Sequence, residues 1–252
     1  MSPREWEAAT YDRISAPMES LGREVLERLP LRGDELVVDV GCGSGRVTAA
    51  LLDKLPDGRV IGVDGSAAMI EQARERFAGD PRVELMVGDA LELEIGEPAD
   101  AILSTATFHW IADHDRLFAR LRAALRPGGG LVAQCGGAGN IAELHAAVRA
   151  ASDTEPFAAH LGGWDPWHYA TPEATAERLE RAGFTDVRTW LAERPVSPED
   201  PMTWLRSIIL GSHLDRLPPD LREPFVIAVA ERAPDPLLVG YTRLNMDATA
   251  GA

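Results

Sequence analysis

Gly41, Gly43 and Gly45 close an apolar run, Leu36-Val-Val-Asp-Val40, and lead into a helical stretch that starts at Arg46. A buried strand that enters a helix through such a turn makes a ligand cradle. Each glycine accepts positive φ or lets a ligand lie on bare backbone. The first N–H groups of the helix face a polar or negative ligand group. Asp39 places an acid inside the strand. Asp64 ends the next apolar run, Val60-Ile-Gly-Val-Asp64, about 20 residues beyond the loop, the spacing of a carboxylate that accepts ribose hydroxyls. It could instead cap the helix that follows Gly65-Ser66. Asp89, in Gly88-Asp89-Ala90 after a third apolar run, offers an adenine contact or a simple turn aspartate. The chemistry suggested is binding of a nucleoside-bearing cofactor, its polar end on the glycine loop.

The position after Gly45 separates cofactor classes. A dinucleotide fingerprint, G-x-G-x-x-G/A, needs a small residue where helix and strand pack closely. Arg46 does not meet that need. A nicotinamide-dependent oxidoreductase stays open only through the shared ribose acid.

These residues need a scaffold, and the apolar pattern supplies it. Residues 4–30 read as a helix with Trp6, Tyr11, Ile14, Leu21, Val25 and Leu26 as apolar positions, stopped by Pro30 and Gly33. Strands are expected at Leu36–Val40, Val60–Val63, Val83–Val87, Ala101–Ser104 and Leu131–Gln134. Helices are expected at Arg46–Leu55, Ala67–Phe77 and Asp115–Leu125 between them. The turn Arg126-Pro-Gly-Gly-Gly130 punctuates the approach to the fifth strand. Further on come a helix over Ile141–Ala151, a capped helix from Thr171-Pro-Glu to Ala182-Gly183, a strand at Val187–Leu191, proline-rich helical periodicity over 198–236, and a last strand, Leu237–Asp247. The alternation predicts an α/β fold: a Rossmann-like, seven-stranded, mostly parallel sheet with helices on both faces. The chain reads as one domain, with a core at 31–136 and helical insertions at 137–170 and 198–236. Ligands bind beyond the carboxyl ends of such strands, so the insertions are expected to cap an acceptor pocket.

Composition narrows the partners. Lys and Arg number 25 against 40 Asp and Glu, a net charge of -15. Such a surface repels phosphate backbones and anionic membranes. No apolar run approaches the ~18 residues of a membrane span, and the N-terminus lacks a signal-peptide pattern. The two cysteines, Cys42 and Cys135, form no C-x-x-C pair or zinc set. They read as small buried thiols in a reduced cytoplasm. Neither the oligomeric state nor the acceptor can be read from the sequence.

The succession VVDVGCGSG, VIGVDGSAAMIEQAR, VELMVGDA, DAILSTATFHWIADHDRLFARLRAALRPGG and LVAQ resembles the class I S-adenosylmethionine (SAM) dependent methyltransferases. Within them it is most similar to the trans-aconitate methyltransferase group, near the enzymes that methylate malonyl-carrier-protein. The similarity runs over roughly residues 5–135. It implies SAM as cofactor, S-adenosylhomocysteine as product and no metal. It implies cofactor contacts from Asp39, Gly41, Cys42, Gly43 and Gly45, from Asp64, Gly65 and Met69, and from Asp89, Ala90 and Ser104. It also implies an N-terminal helical lid, residues 1–30, with Tyr11 near the methionine end. An amphipathic helix packed on the sheet is the plainer alternative.

The resemblance also draws attention to His109 and Trp110, just past the fourth strand, where the named enzymes usually carry glutamine and tryptophan. His109 could act as a base, since an ordinary histidine titrates near neutrality. It could equally position the acceptor, or be structural. A carboxylate acceptor needs no base. Trp164 and Tyr169 in one insertion, and Trp204 and Ile208 in the other, are acceptor-site candidates beside His109 and Trp110; aromatic stripes also form cores. Arg206 and Arg243 could clamp an acidic acceptor or serve as surface or structural partners. The expected reaction is methyl transfer to a small molecule, best a carboxylate. C- or O-methylation of a secondary metabolite and SAM binding without turnover are the alternatives.

Overall fold

A computed structural model describes the backbone from Ala16 to Ala252 and the side chains from Leu21. Trp6, Tyr11, Ile14 and the first part of the expected N-terminal helix lie outside the described residues.

The first described helix is α1, Ala16–Leu26. Strand β1, Leu36–Val40, is buried along its whole length and leads into α2, Arg46–Asp53. Then come β2, Arg59–Asp64, α3, Ala67–Arg76, β3, Val83–Val87, and β4, Ala99–Thr105. Helix α4, His114–Ala124, runs directly into β5, Leu125–Gly136. Helices α5, Ala142–Ser152, and α6, Ala158–Leu161, precede α7, Pro172–Arg181. The chain ends with β6, Phe184–Val196, α8, Pro201–Trp204, α9, Gly211–Arg216, α10, Pro219–Ala230, and β7, Val239–Ala250.

The seven strands form one sheet in the order β3-β2-β1-β4-β5-β7-β6. β1 pairs in parallel with β2 and β4, as do β2 with β3 and β4 with β5, while β7 runs antiparallel to β5. Apolar side chains alternate to the two faces. Val38, Val40 and Ile102 pack with Leu117, Phe118 and Leu121 of α4 and Leu179 of α7. Val37, Leu103 and Val132 pack with Val25 and Leu26 of α1 and Leu51 and Leu52 of α2. At about 1.5–3 kcal/mol for each fully buried large apolar side chain, these two layers supply most of what holds the sheet.

One expectation needs correction. Arg126-Pro-Gly-Gly-Gly130 lies within β5, which starts at Leu125 rather than at Leu131. Ala99 pairs with Leu125 and Ala101 with Gly130, and the register shift between them absorbs the extra residues. Residues 126–129 are passed over by the ladder, with Gly128 at φ 79, so the turn residues are kept as an irregularity inside the strand.

The chain divides into two compact units. The first holds the residues through Ala138 together with His168–Ala192 and Arg243–Ala252. The second is built from Gly139–Trp167 and Glu193–Thr242. Its centre is aromatic: His213 packs against Trp164, Trp167 and Phe225, and Phe157 meets Phe225 edge-on.

Candidate active site

In an open sheet, the ligand crevice lies where neighbouring strands send their chains to opposite sides. β1 and β4 are such neighbours, so the glycine loop after β1 and the segment after β4 lie side by side. Gly41 has φ 77, and a Cβ there would overlap the Thr107 side chain. Its N–H donates to the Val63 carbonyl at 2.7 Å, tying the loop to β2. Gly43 has φ 56, and a Cβ there would meet nothing within 4 Å. That opening, on bare backbone, suits a ligand.

The loop and Asp64, the acid expected to meet the ribose, are one assembly. Asp64 Oδ2 accepts from the Gly43 N–H at 2.9 Å, and Asp64 Oδ1 accepts from the Ser66 N–H at 2.8 Å. Each carboxylate oxygen can accept a second bond, as a ribose hydroxyl requires. Ser66, not Asp64, caps α3: its Oγ accepts from the Met69 N–H. Met69 is buried and Gly65 half-buried. Arg76 Nε donates to the Ser44 carbonyl at 2.8 Å and holds the far side of the loop.

Asp39 is 1% exposed. Its Oδ2 accepts from Thr48 Oγ1 at 2.6 Å, while its Oδ1 has no hydrogen-bond partner among the described residues. Burial pushes its pKa up to about 6, against the Thr48 hydrogen bond and with help from the charge of Asp64. A buried, under-satisfied acceptor beneath an open glycine loop fits a ligand that brings its own donors and positive charge. SAM, with an ammonium at its methionine end, has that character. Cys42 is a buried thiol pushed well above its ordinary pKa by burial and by Asp39 and Asp64.

Asp89 is exposed at the carboxyl end of β3, where its Oδ1 accepts from the Leu91 N–H and caps a short turn that starts at Ala90. Ser104 is buried, and its hydroxyl donates to the Val40 carbonyl at 2.7 Å. That bond ties β4 to β1 and commits the hydroxyl proton within the sheet.

After β4 the chain turns sharply. Ala106 adopts φ 56 and donates its N–H to the Gln134 carbonyl at 2.7 Å. A single helical turn follows, Phe108–Trp110. Three contacts hold it. His114 Nε2 lies 3.0 Å from the Phe108 carbonyl, the His168 N–H donates to the His109 carbonyl at 2.8 Å, and the Gly136 N–H donates to His109 Nδ1 at 3.3 Å. Tyr169 stacks on the His109 ring, centroids 5.9 Å apart, and Trp110 lies tilted at 5.0 Å.

His109 is 7% exposed. Burial holds its pKa well below the ordinary histidine range, and the positive charge of Arg243 lowers it further. With Nδ1 accepting from Gly136, the single proton of the neutral ring sits on Nε2. The group is an uncharged donor at that nitrogen.

The structure thus gathers Asp39, Gly41, Cys42, Gly43, Gly45 and Asp64 in one place, and His109, Trp110 and Tyr169 in a second cluster of the same unit. In the other unit, Trp204 is buried against Tyr241, with ring centroids 6.0 Å apart. Trp164 carries the Arg216 guanidinium over its ring at 4.6 Å. Ile208 is half-buried in a π-turn, Leu205–Ile209, which breaks the helical spacing of that stripe. Thr48 and Gly136 were not singled out from the sequence as parts of the site. Gly136 acts through His109, distant in the chain, whereas the Thr48 hydroxyl, one turn past the loop, is a local signal. Among the described residues, no group of His, Cys, Asp and Glu could hold a metal ion. No described helix is long and apolar enough to cross a membrane.

A family profile described as a methyltransferase domain matches residues 37–129. The trans-aconitate 2-methyltransferase of Methylobacterium radiotolerans is 34% identical over 236 residues, which cover 89% of this chain and 87% of that protein. The enzyme of the same name from Variovorax paradoxus is 32% identical, covering 90% of this chain and 88% of its own length. In fold, the YcgJ protein of Bacillus subtilis is similar, with a TM-score of 0.67 at 16% identity over 92% of this chain and 98% of that one. The chain belongs to the trans-aconitate methyltransferase group of the SAM-dependent methyltransferases.

Proposed function

We propose that this enzyme methylates a carboxylate oxygen of a small polycarboxylic acid of the trans-aconitate kind. The observation that carries the proposal is the state of His109: buried, neutral, and accepting through Nδ1 from Gly136. Such a histidine is a hydrogen-bond donor rather than a proton acceptor. A nucleophile that must be deprotonated gains little from it, whereas a carboxylate is already ionised at neutral pH. The names of the relatives point to the same acceptor class.

SAM, when bound, supplies a methyl group on a positively charged sulfur; a carboxylate oxygen forms the new C–O bond as the C–S bond breaks, and one negative and one positive charge cancel. No proton moves. The protein's work is alignment and exclusion of water. The glycine loop, Asp39 and Asp64 hold the cofactor, and Asp89, Ala90 and Met69 are its proposed further contacts. His109 Nε2–H, with Trp110 and Tyr169 beside it, orients the acceptor. Trp164, Trp204 and Ile208 are carried by aromatic or apolar character alone. Two buried thiols support a cytoplasmic setting, and the net charge of -15 argues against nucleic acid as acceptor.

Transfer of labelled methyl from SAM to a panel of small carboxylic acids, trans-aconitate included, tests the proposal. The expected product is a methyl ester, whose label mild base releases. Tight SAM binding with no transfer to any acid, or a base-stable product, overturns it.

A further inference from the structure

β7 runs antiparallel to β5, so its first residues lie at the carboxyl end of the parallel strands, where the loops of the site gather. Arg243 is there, paired in register with Gly136. Gly136 is also the residue whose N–H fixes His109. A guanidinium and the proposed acceptor-positioning imidazole therefore flank one backbone residue. Arg243 is only 3% exposed.

The guanidinium is held in a defined orientation. Its Nε donates to Gln134 Oε1 at 3.2 Å. The Gln134 amide cannot turn over, because its Nε2 donates to Asn245 Oδ1 at 2.9 Å. That same Asn245 oxygen accepts from Arg28 Nη1 at 2.9 Å. Arg28 is anchored in turn by Asp247 Oδ1 and the Ala133 carbonyl, both at 3.0 Å, and lies over the Trp190 ring at 5.0 Å. Asn245 Nδ2 donates back to the Arg243 carbonyl at 3.2 Å. This relay runs from the turn after α1 across β5 and β7 and presents one arginine in a fixed plane. Arg206, the other arginine considered from the sequence, has a different place. It is half-exposed, and its Nη2 donates to both carboxylate oxygens of Glu223, at 2.8 and 2.6 Å.

We propose that Arg243 binds a second carboxylate of the acceptor, one that is not methylated, and so selects polycarboxylates over monocarboxylates. The inference rests on the carboxylate reading of the acceptor given above. A planar guanidinium fork matches a carboxylate in two parallel hydrogen bonds, and in a site shielded from water such a pair is among the stronger polar contacts. It also fixes direction: a carboxylate gripped at Arg243 sets the angle at which another carboxylate of the same molecule meets His109.

The test uses the full chain, with Arg243→Met and Arg243→Lys. Three unsaturated acids serve as probes: trans-aconitate with three carboxylates, fumarate with two and crotonate with one. In Arg243→Met, KM for trans-aconitate is expected to rise about 10- to 100-fold. Its SAM affinity by calorimetry is expected to be unchanged, and its turnover of crotonate to shift by less than about threefold. Preference for the extra carboxylates then collapses. In Arg243→Lys, which keeps the charge but not the fork, KM rises by an intermediate factor. A wild-type KM for trans-aconitate in either variant that retains SAM affinity overturns the assignment. So does an equal loss on all three acids, which marks a structural role. Wild-type protein itself must prefer trans-aconitate to crotonate at least about tenfold in kcat/KM; equal use of the two overturns the assignment without any variant. If wild-type protein binds SAM and methylates no carboxylic acid, the acceptor reading itself falls. Normal wild-type turnover with an unaffected Arg243→Met removes only the role of Arg243.

Discussion

At the scale of single residues, His109 carries the sharpest consequence. Burial and Arg243 hold it neutral, and Gly136 occupies Nδ1. His109→Gln keeps a side-chain donor at this position and is expected to keep kcat within about threefold of wild type. His109→Ala is expected to lose about 10- to 100-fold in kcat/KM. At saturating SAM, with Asp39 engaged by the cofactor, the kcat/KM profile for a carboxylate acceptor is expected to be flat between about pH 6.5 and 8, since the acceptor is ionised and the imidazole neutral throughout. A limb near neutral pH that disappears in His109→Gln returns the residue to the role of base. The pairing of a neutral donor with Arg243 divides the labour: one group orients, the other attracts.

At the scale of elements, the junction of β1 with α2 combines stability with binding. Thr48 on the first turn of α2 reaches back to Asp39 in β1, and burial raises the Asp39 pKa from 3.8 to about 6. The folded state therefore holds this proton more tightly than the unfolded chain. Below pH 3.8 both states are protonated, and Asp39 contributes no penalty. As pH rises toward 6 the unfolded state gives up its proton first, and stability is lost. Above that range the loss levels off at about 3 kcal/mol. Asp39→Asn, which can still accept from Thr48, is expected to gain stability over wild type progressively from about pH 4 to 6 and to hold that gain at pH 7.5. It is expected to bind SAM more weakly. Denaturant melts across that range, with calorimetry of SAM binding, check both halves; a gain already full at pH 4 contradicts the sign. The strained φ of Ala106 belongs to this scale too. It turns the chain out of β4 and over the Gln134 carbonyl, which brings Thr107 against Gly41 and aims the His109 turn.

At the scale of the whole molecule, 40 acidic residues against 25 basic ones mean self-repulsion. Raising NaCl from about 10 mM to about 150 mM shortens the screening length from about 30 Å to about 8 Å. The melting temperature at pH 7.5 is expected to rise over that interval. A fall would mean that the exposed ion pairs, such as Arg206–Glu223 and Arg181–Asp115, outweigh the repulsion. That an anionic acceptor is bound by a protein of this charge gives a buried, oriented arginine its purpose: attraction has to be local.

The sequence by itself determined the geometry of the proposed cofactor cradle, because every part of it is local or one strand away. Leu36 to Arg46 runs strand, loop and helix without a break, and Asp64 ends the strand that pairs directly with β1. The apolar runs likewise located the strands, and Val83–Val87 has the same limits in the fold. Local signals failed where pairing decided the outcome. The Pro-Gly-Gly-Gly turn lies inside β5 as an irregularity, because β4 pairs with the strand on both sides of it, at Leu125 and again from Gly130. The stripe at Trp204 is interrupted by a π-turn whose backbone bond runs from Leu210 back to Leu205. Only tertiary structure could show that His109 is neutral, because its proton position depends on Gly136 and its charge state on burial and Arg243, far along the chain. Only tertiary structure could tell Arg243 from Arg206: identical side chains, one on a surface carboxylate and one inside a relay that closes through Arg28 after α1, β5 and β7. Hydrogen bonds between distant residues, together with the loss of water around them, set those roles, and neither can be read from neighbours in sequence.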